Sequence, residues 1–477
     1  MSVLTKTALL SVLLCSILSA RVIASEANEL IRKAESQGQV RVILTFRDQQ
    51  GFARNTGANT AYSEASKTKL LARQNAILSN LESASASHKL KQRSVKQFRH
   101  VPQMALSVSR DELEGLLADS SISVQEDTLR KPMLLESVSR VYPARENSPF
   151  HGNNQWVVAV LDSGVDKNHS FLSGKVVSEA CYSDGGGQPG ATSLCPGSAL
   201  SSVSSGSGAA CSPSLADCDH GTHVAGIAVG DGVNFDGVAR DGKLISVQVY
   251  SRIDDIDFCF PDTSCIGAFA SDIIAGLQRV YDLRNSFDIA AVSLSLGSGA
   301  FTGTCDNQPE KPIIDLLKSV KIATVAASGN DGSNSQIASP ACISSAVAVG
   351  STSDSSDQRS TFSNVSVALD LYAPGQSIRS SVPGGGFAVK QGTSLAVPHV
   401  AGAMAVLRHK LPSASVNQLE NLLKSHGPLI AAGGVSRRRI DVCAALNSLS
   451  PIQQIACTSQ ADSSFIPAIL MLLLSDD

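Results

Sequence analysis

Three residues that lie far apart in the chain have the side chains needed for nucleophilic chemistry. Ser394 follows Gly392 and Thr393 and begins an apolar run of roughly helical spacing, which predicts its hydroxyl at a helix start. The N–H groups at a helix start and the helix dipole favour developing negative charge. Because a serine hydroxyl alone is a weak nucleophile, this hypothesis requires a base and a group that orients the base.

Two other segments supply those groups. His220 stands before a glycine-rich apolar stretch, and Asp162 follows the run Val157–Val160, which is typical of a buried parallel strand. Sites in open α/β sheets lie beyond the carboxyl ends of strands. The order Asp, His, Ser differs from the order of α/β-hydrolases, and Ala396 replaces the last glycine of their G-x-S-x-G motif.

The segments around these residues resemble the motifs of the subtilisin-like serine peptidases. The matching segments are DSG (162–164), HGTHVAG (220–226), ASGN (327–330) and GTSLAVPHVAG (392–402). Ser163 and Leu395 depart from the commonest Thr and Met without removing a reacting group. The resemblance covers roughly residues 140–448, and four motifs in order are more specific than one.

The resemblance implies an endopeptidase in which each residue has a role. Ser394 attacks the scissile carbonyl, His220 transfers the proton, and Asp162 orients the imidazole. The amide of Asn330 and the backbone N–H of Ser394 stabilise the oxyanion. This chemistry requires no cofactor and no catalytic metal, and the substrates are proteins or peptides.

Each residue also has a structural explanation when it is considered alone. Asp162 could cap a helix or turn, and His220 could cap the helix that follows it. Asn330 could be a turn residue, and Ser394 could be a helix N-cap. The alternative functions are a catalytically silent binding protein or chaperone with this fold, and an ester hydrolase, which the residue order disfavours.

The remaining motif histidines are predicted to be structural. His223 and His399 are expected to be packed or hydrogen-bonded core groups, and His169 resembles a structural position of the family.

Substrate binding is expected beside the nucleophile. An apolar strand is predicted to end at Ser295, Leu296 and Gly297, and the resemblance implies that an extended peptide adds there as a further strand. Gly297 and Gly329 allow close backbone approach. Asp331 either biases the adjacent pocket towards basic side chains or faces solvent.

Further apolar runs alternate with helical patterns. Runs at 243–251, 321–328 and 345–351 are typical of buried strands, and Ala268–Tyr281 and Ile313–Val320 have helical patterns. This alternation predicts an α/β fold with a doubly wound, mostly parallel sheet and helices on both faces.

Cysteine usage favours an exported protein. The chain has 11 cysteines, and setting aside Cys15 of the N-terminal apolar run leaves an even number for pairing. Pairing between sequence neighbours is favoured, although the sequence does not fix the connectivity. The Gly-, Ser- and Cys-rich stretch 178–219 is predicted to be a long stapled loop.

The rest of the chain divides into segments around the peptidase domain, which is predicted at 136–448. Residues 1–24 have the pattern of a secretory signal peptide. Residues 25–135 are predicted to form a small α+β domain, either an inhibitory propeptide, as the resemblance implies, or an unrelated module. As a propeptide it would template folding, leave its tail in the substrate groove and be cut within 128–145.

The net charge, the acidic loop and the C-terminal segment say less about function than the motifs do. The net charge of −3 gives no basis for nucleic-acid binding. Asp254, Asp255 and Asp257 are either a structural calcium site or a solvated loop. The tail 449–477 contains an apolar segment too short to span a bilayer, and attachment to a membrane or surface through it stays open. The expected location is secreted, with the periplasm or cell surface as alternatives.

Overall fold

The computed structural model describes residues 26–47, 64–84, 94–132, 155–183, 190–353 and 356–449. The chain divides into two units, one built mainly from residues up to Thr128 and the other from Leu129 onward. The predicted signal peptide and nearly all of the predicted tail lie outside the described residues. The segment Leu129–Pro132, which the sequence places in the N-terminal domain, is grouped with the second unit.

The first unit is a four-stranded antiparallel sheet with helices, as the sequence predicts. Its strands, in spatial order, are Val95–Gln97, Gln103–Val108, Val40–Phe46 and Ile122–Glu126. Its helices are 26–37, Glu64–Ala84 and Arg110–Ala118. A capping box between Ser109 and Glu112 fixes the start of the last helix. The helix 26–37 and the strand Val95–Gln97 were not predicted; the strand has only three residues, too few to show a period.

The second unit contains an eight-stranded sheet that is parallel except at one edge. Its strands, in spatial order, are Leu371–Gln376, Val347–Ser353, Ala323–Ala327, Asp288–Leu294, Trp156–Asp162, Lys243–Gln248, Val176–Tyr182 and Ser201–Ser202. The central strand Trp156–Asp162 is buried at every residue, which explains its continuous apolar run.

Helices cover both faces of this sheet. Val158 and Val160 belong to the core cluster that includes the helices His220–Val229 and Thr393–Lys410. On the opposite face, a Cβ at Gly276 in the helix Ala270–Leu283 would lie 2.9 Å from Leu161 Cδ2. Because neighbouring strand residues point to opposite faces, these contacts confirm the predicted doubly wound architecture.

The prediction of a loop over the whole of 178–219 was wrong. Val176–Tyr182 is a strand of the main sheet and pairs in parallel with Lys243–Gln248. Its glycine- and serine-rich neighbours suggested a loop, but a pairing partner beside it supplies the backbone hydrogen bonds that propensity alone does not reveal. The edge strand Leu371–Gln376 was missed because it contains Pro374, which an edge position tolerates.

A second sheet and several smaller elements complete this unit. The six strands of that sheet, in spatial order, are Ile337–Ser339, Leu296–Phe301, Leu129–Pro132, Cys265–Phe269, Ser251–Ile253 and Ala191–Ser193. Two hairpins are formed by Ile378–Val382 with Gly386–Lys390 and by Leu429–Ala432 with Val435–Arg438. The other helices are Ser170–Leu172, Pro196–Ser198, Ile256–Cys259, Lys311–Ser319, Val416–Ser425 and Val442–Leu449.

The cysteines of the second unit pair with sequence neighbours, as favoured by the sequence. The disulfides are Cys181–Cys195, Cys211–Cys218, Cys259–Cys265 and Cys305–Cys342. Cys443 is also disulfide-bonded. In the described ranges no helix has the length and apolar character needed to cross a membrane.

Candidate active site

Asp162 is held at the carboxyl end of the central strand. It is the last residue of Trp156–Asp162 and is fully buried. Its Oδ1 accepts hydrogen bonds from the backbone N–H of Ser163 and from His220 Nδ1, both at 2.7 Å. These donors keep a buried carboxylate in one orientation.

His220 begins the helix that packs against this strand end. A Cβ at Gly221 would lie 2.4 Å from the carbonyl oxygen of Gly164 and 3.1 Å from Asp162 Cβ, so only glycine permits this approach. Because Nδ1 donates to Asp162, the neutral ring carries its lone pair on Nε2. That nitrogen is buried and has no hydrogen-bond partner among the described residues, which is the state a general base requires.

Ser394 is the second residue of the helix Thr393–Lys410 and is buried. Pro398 lies one turn further on and has no N–H to donate to the carbonyl of Ser394. The hydroxyl of Ser295 donates to that carbonyl at 2.7 Å instead. The proline in the motif therefore leaves an acceptor that ties the backbone of Ser394 to the end of a neighbouring strand.

Asn330 is oriented by the residue before Ser394. Its Oδ1 accepts hydrogen bonds from Thr393 N and Thr393 Oγ1, both at 2.9 Å. Gly329, at φ +111°, donates its backbone N–H to the same hydroxyl at 3.2 Å. With its oxygen engaged, Asn330 keeps the two N–H bonds of Nδ2 as donors.

The predicted catalytic residues form two hydrogen-bonded groups. One group joins Asp162 and His220, and the other joins Asn330 to Thr393, directly beside Ser394. An ion pair of 2.7 Å between Lys390 and Asp219 links the segments that precede the two helices. His220 Nε2 makes no hydrogen bond to Ser394 in this structure, and contacts between a nucleophile and its base are often long without substrate.

The predicted substrate segment pairs with another stretch of the chain. Leu296 and Gly297 face Pro132 and Lys131 in antiparallel register. On its other side, the strand Leu129–Pro132 pairs with Cys265–Phe269. The flanking strand Cys265–Phe269 was missed in the sequence because its five residues carry no clear period.

The other motif histidines are structural, as predicted. His223 Nε2 bonds the carbonyl of Ala388, His399 Nδ1 bonds that of Leu395, and His169 Nε2 bonds that of Gly386. Burial lowers the pKa of His223 to about 3 and the pKa of His399 to about 4. Both therefore stay neutral at physiological pH.

The acidic residues with open assignments have local partners. Asp331 is exposed and accepts a hydrogen bond from Asn364 Nδ2 at 2.9 Å, which favours the solvent-facing alternative. Asp254 pairs with Arg252, and Asp255 caps a short helix. The parts of the chain that the structure describes contain no group of three His, Cys, Asp or Glu side chains that could hold a metal ion. Structural calcium at Asp254, Asp255 and Asp257 stays a prediction.

Comparison with known proteins decides the family. Residues 153–438 match the model of the subtilase family. This chain is a subtilase. It is 31% identical to subtilisin NAT of Bacillus subtilis subsp. natto over 340 residues, which cover 69% of this chain and 76% of that protein. It is also 31% identical to an alkaline protease of Alkalihalobacillus alcalophilus, over 69% of this chain and 75% of that protein.

The subtilase is also similar to a solved structure. The crystal structure of a cold-adapted subtilisin-like serine proteinase matches 59% of this chain and 85% of that chain, at 28% sequence identity and a TM-score of 0.43. Family membership makes the subtilase a serine-type endopeptidase that acts on proteins or peptides.

Proposed function

We propose that this subtilase is exported, processes itself and hydrolyses peptide bonds through an acyl-enzyme on Ser394. In this mechanism His220 Nε2 accepts the serine proton and later donates it to the leaving amine, while Asp162 stabilises the imidazolium. The observation that carries the proposal is the 2.7 Å hydrogen bond between buried Asp162 and His220, which leaves Nε2 open.

The oxyanion of the tetrahedral intermediate is assigned to two donors. Asn330 Nδ2 is the first, because the bonds from Thr393 to its Oδ1 fix the amide orientation. The backbone N–H of Ser394 is the second, at the start of a long helix whose dipole favours negative charge. Fixed donors of this kind need no reorganisation during the reaction.

Substrates are proposed to bind as an added β-strand. The segment Leu129–Pro132 supports this mode. It is an extended part of the chain itself and pairs with Leu296 and Gly297 as an added strand would. Ser295 and Gly329 connect this strand and the oxyanion segment to the Ser394 helix through their hydrogen bonds. Main-chain bonding of this type gives affinity without demanding one sequence.

The same pairing supports a zymogen. In antiparallel register with Leu296 facing Pro132, the next residue of a bound peptide faces Ser295, whose hydroxyl contacts Ser394. We therefore propose that self-cleavage occurs at the Met133–Leu134 bond and that residues 25–133 act as the inhibitory propeptide. Export is proposed from the signal-like N-terminus and the disulfides.

The test compares the wild-type chain with Ser394→Ala and with the surface control Ser212→Ala. Wild type and Ser212→Ala should mature, yield an N-terminus at Leu134 and cleave casein, whereas Ser394→Ala should stay uncut and inactive. Normal maturation and casein cleavage by Ser394→Ala would show that the nucleophile lies elsewhere.

A further inference from the structure

A buried arginine in the bound strand is held by groups from the peptidase. Arg130 is 3% exposed, and its Nη2 lies 2.9 Å from Oε1 of Glu310, which is fully buried. Its Nη1 donates to Ser298 Oγ at 2.7 Å, and Nη2 lies 3.5 Å from Gln308 Oε1. A guanidinium can reach acceptors on two sides in this way, whereas the single nitrogen of lysine cannot.

The side chain of Glu310 does not cap the helix that it precedes. It stands at the N-cap of the helix Lys311–Ser319, yet its side chain makes no capping hydrogen bond. Its Oε2 has no hydrogen-bond partner in the described ranges, and within them Arg130 is the residue with which it forms an ion pair. A buried carboxylate without a cation is costly, so removal of Arg130 leaves a site that favours a replacement cation.

The loop that carries two of these acceptors is anchored by contacts that do not involve the bound strand. The disulfide Cys305–Cys342 anchors the loop that carries Gln308 and Glu310. The backbone N–H of Gln308 bonds the carbonyl of Cys305 at 2.9 Å. A preformed acidic site loses little freedom when it binds a cation.

We propose that Glu310 makes this protease select arginine at the substrate position that Arg130 occupies. This position directly precedes the residue that faces Gly297, and it is the fourth residue before the bond proposed to be cut. The inference rests on the proposed function, because it assumes that substrates bind where Leu129–Pro132 lies.

The test uses the matured full-chain enzyme and quenched fluorescent peptides with the sequence of residues 129–137. Replacing arginine in the peptide, as Arg130→Ala or Arg130→Lys, should lower kcat/KM, by about 30-fold or more for alanine, because one member of a buried charge pair is lost. The matched control Lys131→Ala removes an exposed charge and should cost less than about fivefold.

The enzyme variant Glu310→Gln should reduce the preference for arginine over alanine to about threefold or less, since the ion pair is then absent from both complexes. If that variant does not fold, the wild-type peptide series alone decides. Equal kcat/KM for the arginine version and either the alanine or the lysine version overturns the inference while leaving the protease assignment intact. Failure to cleave any peptide or casein instead refutes the proposed function, and the inference with it.

Discussion

At the scale of single residues, the site depends on side chains that have two polar atoms, of which one is hydrogen-bonded within the protein and the other is left open. His220 donates through Nδ1 and keeps Nε2 open, and Asn330 accepts through Oδ1 and keeps Nδ2. Each reactive atom is therefore oriented by a bond made by the opposite atom of the same side chain.

Replacement of Asn330 by alanine tests the oxyanion assignment. We expect kcat to fall by about 10²–10³ with little change in KM, a magnitude known for the loss of such a donor in a subtilisin. Steady-state kinetics on one peptide, with Asn421→Ala as a surface control, measures this. A raised KM with an unchanged kcat would assign Asn330 to substrate binding instead.

The burial of His399 predicts an acid-sensitive fold. Its pKa is about 4 in the folded protein, below the ordinary value of 6.5 that applies to the unfolded chain. Between pH 4 and pH 6.5 the unfolded chain therefore binds more protons than the folded protein. Stability is therefore highest above pH 6.5 and falls as the pH drops, by about 3 kcal/mol at pH 4 from this group alone.

Denaturant unfolding of Ser394→Ala, which cannot digest itself under the proposed mechanism, measures this effect between pH 7 and pH 4. Adding His399→Gln should make the free energy of unfolding fall less steeply with decreasing pH. The difference in slope should correspond to the uptake of one proton on unfolding. An identical decline with and without His399 would contradict the prediction.

At the scale of elements, the site is assembled where strand ends meet helix starts. Asp162 ends a strand, and His220 and Ser394 each lie in the first turn of a helix. Helix and strand could approach this closely only because Gly221 has no side chain.

Gly221→Ala tests this contact. Its Cβ would displace the first turn of the helix from Asp162, and misplacement of a catalytic group by about 1 Å costs about 100-fold in rate. The matched control Gly303→Ala has open space around the added carbon and should leave kcat/KM unchanged. Equal activity of both variants would mean that the helix start tolerates a shift.

At the scale of the whole molecule, the N-terminal unit has a core and a buried ion pair of its own. Arg41 and Asp127 pair between the first strand and the end of this unit, and both are nearly fully buried. Removing one partner of such a pair destabilises by about 3–5 kcal/mol. If this unit templates folding, its stability sets how much protease forms rather than how fast the protease works.

Arg41→Met is therefore expected to reduce the yield of matured enzyme while leaving its kcat/KM unchanged. Lys33→Met is the control, because Lys33 pairs with Glu126 in a partly exposed position where ion pairs contribute about 0–1 kcal/mol. Active-site titration followed by kinetics measures both quantities. Equal yields from the two variants would refute a folding role for this unit.

The sequence by itself predicted the candidate catalytic residues and their order, and it determined the α/β layering. It could do so because strand and helix periods are local, and because the motifs around Asp162, His220, Asn330 and Ser394 are contiguous. The sequence-based prediction was wrong where strand pairing overrides local propensity. The strand Val176–Tyr182, most of which was predicted to be loop, is the example.

Only the tertiary structure decided what residues distant in sequence do to one another. It paired Leu129–Pro132 with the strand that begins at Leu296, replaced the missing N–H of Pro398 by the hydroxyl of Ser295, and joined Arg130 to Glu310. None of these contacts leaves a local pattern, because each depends on which strand ends and loops the fold brings within hydrogen-bonding distance.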